Sequence, residues 1–260
     1  MKIYINADTH RQTAIKAKEN LVESADELDI EVVRDINQAD IIFSIGGDGT
    51  LLKTARLSNQ KPIIGVNTGT LGYLTEVNPN DLKQTLSYLT DGNYAIENRM
   101  MLEGEIIKSD GETVEIPESL NEIAVSKNTL GVVRFDAIVN GKLINSYTAD
   151  GILVCTPTGS TAYNLSCGGP IVDPTAEIIT LTPIAPHTII NRSIVLSDKA
   201  VVEIKITEVR ENTLCYVLYD GIPIEVFSGD TIKIKKSKKT SKIIKMEDRS
   251  FIDTIRETIN

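Results

Sequence analysis

The residues best placed to do chemistry lie in one seven-residue turn, Ser44-Ile45-Gly46-Gly47-Asp48-Gly49-Thr50. The apolar run Ile41-Ile42-Phe43 stops there and a helix-like run, Leu51-Leu52-Lys53-Thr54-Ala55, begins, so the turn joins a strand to a helix. Gly46, Gly47 and Gly49 admit backbone angles that a Cβ forbids and let a ligand approach the main chain, where free N–H groups at a helix start favour an anion such as phosphate. Asp48 does not belong in a simple phosphate cradle. A carboxylate among such donors repels phosphate unless it takes part in the chemistry or holds a cation between itself and the anion. Taken alone, the turn also fits a plain αβ junction in which Asp48 caps the helix.

A second stretch is rich in glycine and hydroxyl groups, Thr156-Pro157-Thr158-Gly159-Ser160-Thr161-Ala162-Tyr163-Asn164-Leu165-Ser166-Cys167-Gly168-Gly169-Pro170. Its side chains are of the kind that orient ribose hydroxyls and adenine edges, and its glycines permit close approach. The same composition also fits a capped helix start whose hydroxyls bond their own backbone. Asn121-Glu122 sets an amide beside a carboxylate on a strand, and a carboxylate can accept hydrogen bonds from both hydroxyls of a ribose.

The elements that must position these groups follow from periodicity. Residues 1–7 read as a strand, and Ala14, Ala17, Leu21, Ala25 and Leu28 recur at helical spacing with Asp8 or Thr9 as cap. Short apolar runs at 30–33, 41–45 and 62–67 supply further strands, and a helix spans about 80–89. Strands alternating with helices imply a mostly parallel, Rossmann-like sheet with ligands beyond the strands' carboxyl ends. Both the Asp48 turn and Asn67-Thr68-Gly69-Thr70-Leu71-Gly72-Tyr73 fall there, so the two loops are expected to share a crevice. From residue 94 the pattern becomes short β runs with turns, including an Asn140-Gly141 hairpin. The expected division is an α/β domain of residues 1–95 plus a C-terminal helix at 246–260, and a β-rich domain of residues 96–245.

The bulk composition is that of an ordinary globular protein of 260 residues. No apolar run approaches the roughly 20 residues of a membrane span, and the N-terminus reads as a strand rather than a secretory signal, so a cytoplasmic protein without membrane contact is expected. Cys155, Cys167 and Cys215 form no Cys-x-x-Cys pair and read as reduced apolar residues. His10 and His187 are isolated. The net charge of −9 argues against nucleic-acid binding, and the lysines from Lys233 to Lys245 read as a solvated strand and hairpin without interleaved aromatics.

Together these motifs resemble the NAD kinase family in order and approximate spacing, with Asp150-Gly151, Gly168-Gly169-Pro170 and Leu181-Thr182-Pro183-Ile184-Ala185-Pro186-His187 extending the match. The glycine–aspartate turn alone is shared with lipid kinases and phosphofructokinases; the loop after Thr158 and the Asn121-Glu122 pair are similar to the NAD kinase branch. The resemblance implies a two-domain fold, an α/β domain plus an all-β-rich one, with the active site between them. It implies transfer of a phosphoryl group from ATP, another nucleoside triphosphate or polyphosphate to the adenosine 2′-hydroxyl of NAD, with Mg²⁺ or another divalent cation. On that pattern Asp48 accepts the hydroxyl proton. Gly46, Gly47, Gly49 and Lys53 serve the donor phosphates. Asp48, Gly49, Tyr73, Asn121, Glu122, Thr148, Asp150, Thr161, Ala162, Tyr163, Asn164, Leu165, Ser166 and Ala185 hold NAD. No dedicated metal cage is expected, and a homodimer or homotetramer is. Two departures stand out: Asp220-Gly221 is followed by Ile222 rather than glutamine, and Thr148 replaces a basic or aromatic residue.

Overall fold

The computed structural model describes residues 1–69, 72–128, 131–188, 191–210, 213–246 and 250–259. In chain order the elements are β1 (Lys2–Ala7), α1 (Gln12–Glu27), β2 (Glu31–Val32), β3 (Ile41–Gly46), α2 (Asp48–Leu57), β4 (Ile63–Asn67) and α3 (Leu82–Thr90). There follow β5 (Ala95–Ile107), β6 (Thr113–Ser119), β7 (Glu122–Lys127), β8 (Val133–Val139), β9 (Lys142–Ala149), β10 (Gly151–Cys155) and α4 (Tyr163–Ser166). The chain ends with β11 (Ile178–Ile184), β12 (Ile194–Ser197), β13 (Val202–Val209), β14 (Cys215–Tyr219), β15 (Ile222–Val226), β16 (Thr231–Lys245) and α5 (Phe251–Ile259). Two compact units result, Met1–Arg99 with Thr240–Asn260, and Met100–Lys239.

In the first unit the strands run parallel in the order β2-β1-β3-β4, and the end of β16 joins beside β4 through Ile243 and Ile63. Alternation along β3 explains the layers. Ile41, Phe43 and Ile45 pack with Ala14, Ala17, Leu21 and Ala25 of α1 and with Leu82, Leu86 and Leu89 of α3. The intervening Ser44 faces α2, where Thr54 Oγ1 lies 2.9 Å from Ser44 Oγ and accepts a hydrogen bond from Asn6 Nδ2 at 2.8 Å. Residues of both parities are therefore buried, as a strand covered on two faces requires. Helix α1 begins later than its pattern suggests. The Asp8 amide still donates to Ile45 O, extending the β1 pairing, and the Asp8 carboxylate accepts the His10 amide, so Arg11 is the N-cap without a side-chain bond.

The second unit is built from antiparallel pairs. One sheet places β13 between β8 and the start of β16, with β9 beyond β8, and β5 pairs with β6. The other is six-stranded, in the order β12-β11-β10-β7-β14-β15. Phe135, Ala137, Val202 and Ile204 from the first and Ile123, Val125, Ile152, Val154 and Val217 from the second share one core. The Asn140-Gly141 turn takes φ of 49° and 75°, the left-handed pair that a two-residue hairpin needs.

The lysine-rich segment corrects its sequence reading. It is one strand of 15 residues with no hairpin, as fits a stretch lacking glycine, asparagine and aspartate. Several of its lysines are paired: Lys233 with Glu105, Lys235 with Glu103, Lys236 with Asp198, Lys239 with Glu118 and Lys245 with Glu76. Among the described residues no helix is long and apolar enough to cross a membrane.

Phe135 is fully buried and stacks on Tyr147 with ring centroids 5.5 Å apart. Phe135→Ala should lower unfolding free energy in a denaturant titration by about 3–5 kcal/mol; a loss below about 1 kcal/mol would contradict this core.

Candidate active site

In the first unit, register sets the geometry. Gly46 pairs with Asn67, so β3 and β4 end level with one another, and the Thr68 amide donates to Gly46 O at 3.1 Å. The Asp48 turn and the loop after β4 therefore leave the sheet side by side; Thr70 and Leu71 of that loop lie outside the described residues. None of Gly46, Gly47 and Gly49 takes a positive φ, so their expected conformational freedom is not used. Gly46 is needed for space, because a Cβ there would strike the Thr50 side chain. At Gly47 and Gly49 a Cβ would meet nothing within 4 Å. Packing does not require glycine at those two positions. What they provide is a bare main chain at the first turn of α2, where a helix leaves its leading N–H groups for an anion, the Thr50 amide already donating to Gly47 O at 2.9 Å.

Asp48 is the first residue of α2, and its carboxylate is held from across the loop. Oδ2 accepts the Tyr73 amide at 2.9 Å, and Oδ1 accepts the Leu74 amide at 3.2 Å and the Thr75 hydroxyl at 3.4 Å. Gly72 makes this approach possible, since a Cβ there would run into the Asp48 carboxylate. Lys53 is exposed on α2. Five residues of helix place it about 140° around and about 7.5 Å along the axis from Asp48, so it does not stand beside the carboxylate.

In the second unit, the candidate residues gather on the outer face of the six-stranded sheet. Glu122, Ala124 and Ser126 alternate outward along β7, and Leu153, Cys155 and Ile184 form a small apolar cluster with Ala124 and the partly buried Cys167. The segment from Thr156 to Gly169 lies over this face. Thr156 Oγ1 donates to Leu120 O at 2.6 Å and accepts the Gly159 amide at 3.1 Å, while Gly159 packs so tightly on Asn121 that a Cβ would enter its backbone. Tyr163 is exposed and its hydroxyl bonds Ser126. Leu165 and Ser166 are exposed, and Thr161 and Ala162 half-buried. Asn164 is different: fully buried, it donates to Ser160 O and Pro170 O and accepts from the Thr182 hydroxyl, so its side chain serves the loop itself.

Asp150 and Ala185 lie at the far end of β10 and β11, and Thr148 is near the end of β9, in the other sheet. The Asp150 amide donates to Ile184 O, the Thr148 carbonyl accepts the His187 amide, and Ala185 takes a φ of 44°. Asp150 is paired with Lys127 at 2.8 Å. From Glu122 to Ser126 the face runs about 13 Å, four residues of strand, a length suited to an extended ligand.

Glu122 is 8% exposed, and its Oε2 is buried with no hydrogen-bond partner among the described residues. Beside it the Asp220 carboxylate accepts the amides of Leu120 at 2.9 Å, Asn121 at 2.8 Å and Glu122 at 3.4 Å. Burial first, and the negative Asp220 second, push the Glu122 carboxyl up to about 8. Burial likewise raises the Cys155 thiol, which is paired across the strands with Glu122. Sequence reasoning missed Asp220 as part of this site, because Asp-Gly between two strands is fully accounted for by the β14–β15 turn, where Asp220 and Gly221 take φ of 44° and 82°.

The raised Glu122 carboxyl fixes the sign of a pH effect. Between its ordinary 4.5 and about 8 the folded protein keeps a proton that the unfolded chain releases, so stability falls as pH rises through that window and levels off above it. Thermal unfolding of Glu122→Gln against the parent from pH 5 to 9 should show the variant gaining progressively up to pH 8. Parallel curves would contradict the burial of an ionisable Glu122.

Two family models match the chain: the ATP-NAD kinase N-terminal domain over residues 3–94 and the ATP-NAD kinase C-terminal domain over residues 120–246. The NAD kinase of Caldanaerobacter subterraneus subsp. tengcongensis is 42% identical over 227 residues, covering 86% of this chain and 79% of the relative. That of Heliobacterium modesticaldum is 40% identical over 227 residues, covering 85% and 79%. Among solved structures, yeast NADH kinase complexed with NADH shares the fold with a TM-score of 0.89 at 23% identity, over 100% of this chain and 87% of that one. An NAD kinase from Archaeoglobus fulgidus in complex with ATP matches with a TM-score of 0.78 at 28% identity, over 99% and 96%. The pinned aspartate at an open helix start, the Asn121-Glu122 face and these matches over both units agree: the chain belongs to the NAD kinase family.

Proposed function

We propose that this kinase transfers the terminal phosphoryl group of ATP, another nucleoside triphosphate or polyphosphate to the 2′-hydroxyl of the adenosine ribose of NAD, giving NADP. The observation that carries the reading is the Asp48 carboxylate, fixed by the main chain of residues 73 and 74 at the first turn of α2, where the N–H groups favour phosphate. A new bond forms between the ribose oxygen and phosphorus, the bond from phosphorus to the donor's bridging oxygen breaks, and the hydroxyl proton passes to Asp48. Phosphoryl transfer asks chiefly for alignment and charge neutralisation, and the nucleophile's proton leaves late, so an oriented carboxylate serves even when its basicity is weak.

The residues present fit Mg²⁺ in a limited way. Among the described residues no three acidic, histidine or cysteine side chains converge as a cage. Mg²⁺ suits such a site when it is carried chiefly by the donor's phosphate oxygens, and Asp48 would reach it through water, leaving the carboxylate to accept the hydroxyl proton. When bound, the ion would neutralise charge on the transferring phosphates.

For NAD, the proposed contacts are Asn121 and Glu122 at one end of the β7 face, Thr161, Ala162, Tyr163 and Ser166 along it, and Asp150 with Ala185 at the other end; Asn164 acts by holding the loop. In the other sheet of this unit the edge strand β9, beyond β8, exposes Leu143 and Ile144, which supports a homo-oligomer covering that edge.

Incubation with NAD, Mg²⁺ and either ATP or polyphosphate, followed by an NADP-specific dehydrogenase assay, should detect NADP with at least one donor. Folded protein that binds NAD yet forms no NADP with any donor would refute the proposal. Gly72→Ala should leave the melting temperature within a few degrees and lower kcat by about 10²-fold, through displacement of Asp48. An unchanged kcat would remove the 72–75 segment from the catalytic geometry.

A further inference from the structure

Among the described residues, Glu122 carries a buried carboxyl oxygen on the β7 face with nothing to bond. Its Oε2 is buried without a partner among the described residues, at the end of the face proposed above to hold NAD. The titratable groups around it come from three packed elements: Asp220 from the β14–β15 turn, Cys155 from β10 and Cys167 following α4. None of these is a cation. The lysine on its own strand, Lys127, is paired with Asp150 at the other end.

Asp220 cannot move away to relieve the crowding. Both of its oxygens accept main-chain amides from residues 120–122, and the Asp220 amide donates back to Glu122 O at 3.2 Å. The same bonds that shape the Asn121-Glu122 corner thus keep a negative charge against Glu122. A polar oxygen buried beside a fixed anion is stable when it carries a hydrogen and a ligand acceptor takes that hydrogen.

Resting on the NAD kinase reading, we propose that Glu122 meets NAD as the neutral acid, donating a hydrogen bond from its orphaned oxygen to an acceptor atom of the nucleoside, and that Asp220 is the positioning residue that holds Glu122 in that form. The raised carboxyl, up to about 8, agrees with this assignment. A neutral carboxyl also retains its carbonyl oxygen as an acceptor, so it can bond a ribose hydroxyl in both senses, whereas a carboxylate can only accept.

Glutamine separates the two cases. It copies the neutral acid, one acceptor and an N–H donor, but cannot copy a carboxylate. Calorimetric titration of the full chain with NAD from pH 6.5 to 9 should show affinity falling about tenfold per pH unit above 8 in the parent. Glu122→Gln should bind at pH 7 within about threefold of the parent and show no such fall. Asp220→Asn, losing the adjacent charge, should move the break to lower pH. Weakening of NAD binding by more than about tenfold in Glu122→Gln at pH 7, with a flat parent profile, would establish an acceptor-only carboxylate and overturn the proposal. The carboxyl resonances of the ¹³C-glutamate-labelled protein without NAD give a separate check. A signal that titrates near 8 and is missing in Glu122→Gln supports the neutral acid; a Glu122 signal titrating in the ordinary carboxylate range refutes it. If the parent binds no NAD at any pH while that signal titrates near 8, the NAD reading fails first, and the proposed contact fails with it.

Discussion

The structure of the first unit turns on a carboxylate held by amides. Asp48 begins α2, yet the groups that fix it belong to the loop after the next strand, 25 to 27 residues away. That contact depends on three things at once: β3 and β4 ending level, the Thr68 amide tying the loops at Gly46, and a residue without a side chain at 72. The result is an acid that points in a set direction at the first turn of a helix whose own N–H groups favour anions. The parallel sheet beneath, covered on both faces, gives these loops a rigid base.

Three acids illustrate how the same functional group takes different states. Asp48 accepts hydrogen bonds at both oxygens from a loop that it orients in return. Asp220 does the same for the 120–122 corner, where its role is to shape the chain. Glu122 has an oxygen with no donor among the described residues, and burial beside Asp220 favours its proton. The distinction lies in the number of N–H groups each carboxyl receives and in what stands next to it, not in residue type.

Much of the local architecture was legible in the sequence. Apolar periodicity located α1 and the strands, the break after Phe43 marked the strand-to-helix turn, and Asn140-Gly141 marked a hairpin, because each is governed by near neighbours. Long-range contacts through the backbone were not legible. Tyr73 and Leu74 fix Asp48 with amides that any residue type could supply, and Asp220 reaches the 120–122 amides across 98 to 100 residues. Of the two reasons the glycines stood out, only close approach to the main chain is used at Gly47 and Gly49, which are open and not left-handed. The hydroxyl-rich loop was only partly what it resembled, since Thr156, Ser160 and Asn164 bond its own framework and leave Tyr163 and Ser166 exposed.

The central claim is that Asp48 acts on the proton of the attacking hydroxyl and not merely as a helix cap. Asp48→Asn keeps size and one acceptor while removing the proton-accepting carboxylate, so NAD affinity and single-turnover rate measured on the same preparation separate binding from chemistry. NAD affinity should stay within about threefold of the parent while turnover falls by about 10²- to 10⁴-fold. A variant that binds NAD and turns over at the parental rate would contradict it.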